Sequence, residues 1–430
     1  MPSEVVVLEG HIIDTLMLPK VLDEILISDG TYEIVDLKIG NGRDDPSAAR
    51  IKVIMPEEDK LDELLDRLQQ FGANAATIED AELVVADVDG AFPPGFYSST
   101  NLETEVRVNG HWIPVARTEM DCGVAVDESS AGTLAMTDVR RGMKIVMAGR
   151  GIRVQPLEPA ASAKQAFEFM SSDVSSEKPK ALLVEQVADQ MRSVKEQGKR
   201  ILWVAGPAVI HTGSAPDLCA LIKAGYVDAL FAGNGVAAHD IESNMFGTSL
   251  GVYLSHGHPA EHGHEHHIRA INEIRRHGSF KAAIDAGVFD DGIVYQLIAN
   301  DCDYIFGGSV RDDGPLPEVV SDMLEVQRRL RDIIWGRDGD DLIGYCIVVG
   351  TMLHGIATGN CLPASVPLAC IDINQATVTK LMDRGSFQSM GIITDVGLFI
   401  RGVAEHLASE HLAPSKKDAR ARVAGSNTPT

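Results

Sequence analysis

Positive charge is scarce in this sequence and its cysteines follow no pattern, and these two shortages narrow the chemistry first. Lys and Arg number 38 against 62 Asp and Glu, a formal charge of −24. Such a surface repels DNA, RNA and anionic lipid, so neither nucleic acid nor a membrane is expected as a partner. The same field mildly attracts a cationic small molecule, within the roughly 8 Å that physiological salt permits. Cys122, Cys219, Cys302, Cys346, Cys361 and Cys370 show no C-x-x-C spacing, which argues against a thiolate zinc site and a disulfide framework and fits a reducing cytoplasm. No leader pattern opens the chain, because Glu4, Glu9 and Asp14 interrupt its apolar start. G-x-S-x-G and H-E-x-x-H are both missing, so nucleophilic-serine and zincin chemistry have no support. Long charge-free runs are rare. One of them, Leu342 to Ile371, is long enough to cross a bilayer, but Gly344, Gly350, Gly355, Gly359, Pro363 and Pro367 break it. It reads as buried strands joined by a ligand-binding loop.

What is present is an ordinary globular composition over 430 residues, 45 % hydrophobic and 23 % charged, enough for two or three domains. The α/β pattern begins with a strand at Val5 to Leu8, a helix at Leu18 to Ile27 and two strand-like runs, Tyr32 to Ile39 and Ala49 to Met55. Pro56 and the acidic Glu57-Glu58-Asp59 suit a helix start, and Leu61, Leu64, Leu65 and Leu68 form one apolar stripe. With Leu83 to Ala86 as a closing strand, the order is βαββαβ, which predicts a ferredoxin-like domain over residues 1–94. Short β-type runs then dominate, at Thr104 to Val108, Trp112 to Val115, Gly123 to Val126 and Lys144 to Met147, and Asn109-Gly110 is a strong hairpin signal. A small β-rich middle unit with a connector at Pro159 to Pro179 is expected over 95–180. From 181 to 412, apolar strands alternate with helices, at Ile201 to Ala205, Val227 to Ala232, Tyr304 to Gly307, Gly344 to Val349 and Ala369 to Asp372. Strands apolar on both faces predict a doubly wound Rossmann-like nucleotide-binding domain. Residues 413–430 read as a disordered tail.

Two glycine motifs compete for a dinucleotide phosphate. Gly149-Arg150-Gly151 leads into Ile152-Arg153-Val154-Gln155-Pro156, which cannot open a helix. Gly233-Asn234-Gly235-Val236-Ala237-Ala238 follows a strand and leads into a helix, as phosphate binding on backbone N–H groups requires. The acid expected about twenty residues later is missing, since Tyr253-Leu254-Ser255 stands there. Further turns end predicted strands: Gly307 to Gly314, Gly350-Thr351-Met352-Leu353-His354-Gly355, and Asp372-Ile373-Asn374. Asp372 is placed to accept ribose hydroxyls or to cap the helix that follows. Asp395 is a lone acid in an apolar run, and Cys122 stands beside Asp121 at the edge of a β-run. Six of the 14 histidines, His256, His258, His262, His264, His266 and His267, fall in one Gly-rich stretch. That stretch reads as a flexible polar lid or a transition-metal site.

The runs Glu9-Gly10-His11-Ile12-Ile13-Asp14, Thr104 to Gly110, Met120-Asp121-Cys122, Gly307 to Pro317 and Thr394-Asp395-Val396-Gly397 resemble the archaeal-type ornithine cyclodeaminases. The same unit forms the C-terminal part of cyanobacterial arginine dihydrolase/ornithine cyclodeaminases, and the first hundred residues resemble the conserved region of plant lysine-ketoglutarate reductase/saccharopine dehydrogenase (LOR/SDH). The resemblance covers about Val5 to Leu412. It implies an enzyme that turns L-ornithine into L-proline and ammonia with tightly held, recycled NAD; a cytoplasmic homo-oligomer without a metal is the accompanying expectation. On this chain the family's cofactor contacts fall on Asn234, Gly235, Asp313, Thr351, Met352, Leu353, His354, Asp372, Asp395 and Val396. Gly235 stands where alanine is usual, and Cys361 where methionine is usual. The chemistry asks for a general base, for which Asp121 and Asp395 are candidates. It also asks for a cation facing the substrate carboxylate, from Arg107, Arg117 or Arg311, with Cys122 nearby on the substrate side. An amino-acid dehydrogenase with net NADH formation and a non-catalytic nucleotide or amino-acid sensor are the competing expectations.

Overall fold

The computed structural model describes residues 1–13, 16–40, 45–69, 71–76, 79–127, 129–155, 180–309, 315–336, 342–382 and 389–412. The expected connector at Pro159 to Pro179 and the tail after residue 412 lie outside them. The chain divides into two compact units. The first is Met1–Ser172 with Asn360–Ser365 and Gly385–Gln388, and the second is Asp173–Gly359 with Val366–Arg384 and Ser389–Thr430.

Unit 1 opens with β1 (Ser3–Gly10), α1 (Met17–Ile27), β2 (Thr31–Lys38), β3 (Ser47–Ile54), α2 (Glu58–Gln69) and β4 (Asn74–Ala75). The sheet order is β2-β3-β1-β4, with β1 and β2 both antiparallel to β3. Helix α2 carries its leucine stripe inward, with Leu61, Leu64 and Leu68 buried against Val6, Leu8, Ile51 and Val53. The βαββαβ order is as expected, but its closing strand is a different one. Val6 and Val7 of β1 pair with Ala75 and Asn74, whereas β5 (Leu83–Val85) pairs with β10 (Lys144–Val146) in a second sheet. Two residues of polar and small character give no strand signal, so the stronger apolar run took the assignment.

That second sheet also holds β6 (Thr104–Val108), β7 (His111–Ala116), β8 (Gly123–Val126), β9 (Ala131–Leu134) and β11 (Ile152–Val154), in the order β11-β6-β7-β9-β8-β10-β5. Asn109 and Gly110 turn β6 into β7 with φ of 51° and 81°, the two positive angles a type I′ hairpin demands. Strands β9 and β11 escaped the sequence reading, being three or four residues long. The Gly149-Arg150-Gly151 motif does lead into a strand, β11, and opens no helix. The core joins Val106, Val124, Val146 and Val154 to Ala364, a residue from far along the chain that is 2 % exposed. The Ala364 N–H donates to the Asn101 carbonyl at 2.8 Å.

Unit 2 is a six-stranded sheet of β12 (Arg200–Ala205), β13 (Ala229–Gly233), β16 (Asp303–Gly307), β17 (Ile343–Val349), β18 (Leu368–Asp372) and β19 (Ser389–Ile393). All the pairings are parallel and the order is β16-β13-β12-β17-β18-β19. Numbered within the sheet this is 3-2-1-4-5-6, two mononucleotide-binding halves meeting between β12 and β17. The central strands are buried along their lengths, Ile201 to Ala205 and Cys346 to Val349 among them, as parallel strands covered on both faces must be. No described helix is long and apolar enough to cross a membrane.

Candidate active site

In an open parallel sheet, ligands bind at the carboxyl ends of the strands where the order reverses. Here that point is formed by the loops after β12 and β17. Gly206 N–H donates to the Val349 carbonyl at 2.9 Å and Gly350 N–H to the Ile371 carbonyl at 3.0 Å. The two loops touch backbone to backbone: a Cβ on Gly206 would lie 1.9 Å from the Gly350 carbonyl oxygen, and Gly350 has φ +60°. Both positions therefore require glycine.

The loop after β17, Gly350-Thr351-Met352, leads into α11 (Leu353–Cys361), so helix N–H groups open toward the crevice. About twenty residues past Gly350 the next strand, β18, ends in Asp372, the position from which an acid reaches a ribose hydroxyl. No acid stands at that spacing after Gly233, and one does in the other half of the sheet, a relation that only strand order reveals. Asp372 Oδ1 accepts the Asn374 N–H at 2.8 Å. Asn374 Oδ1 in turn accepts the Ala376 N–H at 2.9 Å as the cap of α12 (Gln375–Met382). Asp372 is therefore not the cap itself, and its Oδ2 has no partner among the described residues.

Asp395 caps α13 (Val396–Leu407), its Oδ1 accepting the Leu398 N–H at 3.0 Å. Helix α13 returns to the switch point, where Val396 Cγ2 stands 3.3 Å from the Cβ position of Gly350 and Thr212 stands 3.2 Å from that of Gly397. Leu353, Ile373 and Leu398 rim this edge at 71 to 74 % exposure. Apolar side chains left open at two helix starts and one turn around a glycine crossing suit the flat faces of a dinucleotide.

From the first half, Asn234 opens α6 (Asn234–Phe246), and its Oδ1 accepts the Leu316 N–H at 3.1 Å. A Cβ on Gly235 would meet Pro207 Cγ at 3.5 Å, an ordinary contact, so an alanine would fit there. His354 joins the two halves, its ring 4.7 Å from Phe231 and its Cε1 3.1 Å from the Cβ position of Gly233. Burial pushes its pKa down, which favours the neutral imidazole. Asp313 and Arg311 lie outside the described residues. The Gly206-Pro207 loop and Thr212 were missed from sequence, although the turn after the first strand of such a domain is where to look.

In unit 1, Asp121 sits at φ 61°, and its Oδ2 accepts from Asn360 Nδ2 at 3.1 Å. Asn360 also takes the Met120 N–H on its carbonyl at 2.9 Å, welding that turn in place, and no sequence signal singled it out. Cys122 is buried, its N–H bound to Ser99 Oγ at 3.2 Å. Arg107 pairs with Asp80 at 2.7 Å beneath the β6–β7 hairpin. Asp80 is thus the acid that Arg107 faces among the described residues. Arg117 is exposed at φ 56° with no acidic partner among the described residues.

The histidine-rich stretch runs from β14 (Thr248–Ser249) and β15 (Val252–Tyr253) into α7 (His266–His277). Read from sequence as a flexible lid, it is anchored at its base. The fully buried Glu242 of α6 accepts from His239 Nδ1, Thr248 Oγ1 and the Gly251 N–H at 2.8 to 2.9 Å. Burial alone would push the Glu242 pKa up, but these bonds hold it below the usual range. Among the described residues, no group of three or more His, Cys, Asp or Glu is placed to hold a metal ion.

Taken together, the sheet order, the glycine crossing and the strand-ending acid define a dinucleotide-binding α/β enzyme. The family model for the Rossmann-fold C-terminal region of ArgZ-like arginine dihydrolase matches residues 185–403, that for its first region 103–184, and that for the LOR/SDH conserved region 3–102. The ornithine cyclodeaminase of Methanocaldococcus jannaschii is 45 % identical over 407 residues, covering 93 % of this chain and 95 % of its own. The chain belongs to the ornithine cyclodeaminase family. Among solved structures, apo ArgZ, a cyanobacterial arginine dihydrolase, superposes with a TM-score of 0.82 at 34 % identity over 95 % of this chain and 58 % of its own. The ternary complex of AgrE with ornithine and NAD+ superposes with a TM-score of 0.51 at 36 % identity over the same shares. This chain thus spans little more than half of those cyanobacterial proteins and nearly all of the archaeal relative.

Proposed function

We propose that this chain converts L-ornithine to L-proline and ammonia without net redox change, with NAD bound at the switch point of unit 2. The observation that carries the reading is the glycine crossing of Gly206 and Gly350, flanked by Asp372 on one side and Asp395 on the other. The fit to NAD is good on the chain's own terms, with an uncommitted Asp372 oxygen for a ribose, helix N–H groups for the pyrophosphate and open apolar tips for the rings. When bound, NAD supplies a two-electron acceptor and donor for the carbon bearing the α-amine.

The residues must manage protons around that exchange. The α-ammonium has to lose a proton first, and Asp395, whose Oδ2 has no partner among the described residues, is the proposed acceptor. The δ-amine must be neutral to attack, which partial desolvation promotes by lowering its pKa. Excluding water protects the imine until ring closure releases ammonia.

Incubation with L-ornithine, with and without added NAD, tests this when proline, ammonia and NADH are quantified together. Equal proline and ammonia without accumulating NADH is the expected result. Steady NADH formation would make the chain a dehydrogenase instead. Binding of both ligands without turnover would make it a sensor.

A further inference from the structure

Strand β2 ends its sheet, pairing with β3 on one side and with nothing described on the other. Seven of its eight residues are exposed. Ile34, Val35, Leu37 and the adjoining Ile39 stand 40 to 60 % open. Natural edge strands are blunted by proline, charge, a bulge or a covering element, because unpaired N–H and C=O groups recruit another strand; β2 has one such irregularity, between Ile34 and Asp36 against β3, and runs in regular register from Asp36 to Lys38. Thr31 to Ile39 contains no proline, and Asp36 and Lys38 are its only charges after Glu33.

The sequence of the edge is complementary to itself in one register. An antiparallel pair of identical strands around a twofold axis must place some residue opposite its own copy. Centred on Leu37, within the regular stretch Asp36 to Lys38, each Asp36 lies opposite the Lys38 of the other copy and Leu37 meets Leu37. Both ion pairs and the central apolar pair match. Centred on Asp36 instead, two carboxylates meet, and centred on Val35 each Asp36 lies opposite Ile34. Asp36 and Leu37 pair inward with Arg50 and Ala49 of β3, so the charged pairs fall on the open face and Leu37 on the face of the helices.

We propose that β2 is an interface for a second copy of this chain, joined antiparallel about Leu37 into one sheet continuous across two subunits. This pairing stands independently of the reaction assigned to unit 2. Opposed Cβ atoms in such a pair lie about 5 Å apart, close enough for a disulfide to form with little adjustment.

The experiment replaces Leu37 by cysteine. Under mild oxidant, Leu37→Cys should convert most of the protein to a covalent dimer, while Glu33→Cys, which faces no copy of itself, should yield only a trace. Lys38→Glu sets two acids opposite each other and should weaken self-association roughly tenfold or more by light scattering. The exchange Asp36→Lys with Lys38→Asp should restore it. All these positions are exposed, and circular dichroism checks that each variant is folded. A parent of single-chain mass, equal cross-linking at both cysteines, or a multimer indifferent to Lys38→Glu would each overturn the proposal.

Discussion

Replacing Asp395 separates two duties that this residue performs at once. Its Oδ1 caps α13 by accepting the Leu398 N–H at 3.0 Å, and its carboxylate is the proposed proton acceptor. Asparagine caps a helix about as well as aspartate does, and alanine costs about 1 kcal/mol at such a position. Losing the negative charge at the helix start subtracts a further 0.3–1 kcal/mol or so in either variant. Asp395→Asn should therefore melt within a degree or two of the parent, and Asp395→Ala should melt roughly 2–4 °C lower than Asp395→Asn, on the scale of domains of about 200 residues. Catalysis should not follow that order. Deleting a general base typically costs about a hundredfold to ten-thousandfold in rate, so both variants should lose proline formation to the same degree while NAD binding persists. The assay is proline and ammonia release from ornithine beside thermal melts of the same preparations. If Asp395→Asn turns over within about threefold of the parent, far short of the loss expected for a missing base, Asp395 is a cap and no more.

Three other outcomes follow from particular contacts. Gly206→Ala drives a methyl into the Gly350 carbonyl at 1.9 Å and should weaken NAD binding at least roughly tenfold, because backbone rather than a yielding side chain must move; Gly359→Ala, with open space around it, is the neutral control, and isothermal titration of both decides. Gly235→Ala should stabilise the protein by up to about 1 kcal/mol in denaturant melts, since it adds helix propensity where a Cβ fits. Asp240, fully buried and accepting the Ile293 and Val294 N–H groups at the start of the helix Ile293–Ala299, is pushed up to about 6 from 3.8 by burial. The folded form holds that proton more tightly than the unfolded one, so this contribution is complete below about pH 4 and lost as pH rises through 6, about 3 kcal/mol in all. Stability of the parent relative to Asp240→Asn should fall over that window, and a flat difference would contradict it.

Local patterns were legible and long-range pairings were not. Asn109-Gly110 announced its hairpin because two positive φ angles suit few residues, and the unit 2 strands announced themselves by being apolar on both faces. Leu83 to Val85 looked like the closing strand of the first sheet because its composition says strand, while the partner of a strand is fixed by packing. The same limit hid the role of Gly350. Its loop and Asp372 were both noted, but only the 3-2-1-4-5-6 order puts them in one half of the sheet, the half proposed for phosphate and ribose, and leaves the Gly233 motif in the other. Strand β19 was passed over because Ser389-Met390-Gly391 interrupts the apolar run. Arg107 looked available to a substrate because Asp80, its partner, is far from it in sequence.

The burial of Ala364 against Val106 and Val154 sets an order of events at the ribosome. The seven-stranded sheet of unit 1 has all its strands in hand once residue 154 has emerged, yet one piece of its interior and the donor for the Asn101 carbonyl arrive some two hundred residues later. At the roughly 5–20 residues per second of synthesis, the early sheet waits for tens of seconds with an open seam. Fragments ending before Asn360 should behave in the same way, exposing apolar surface that the finished chain closes, so the amino-terminal half is expected to need the rest of the protein to become fully native.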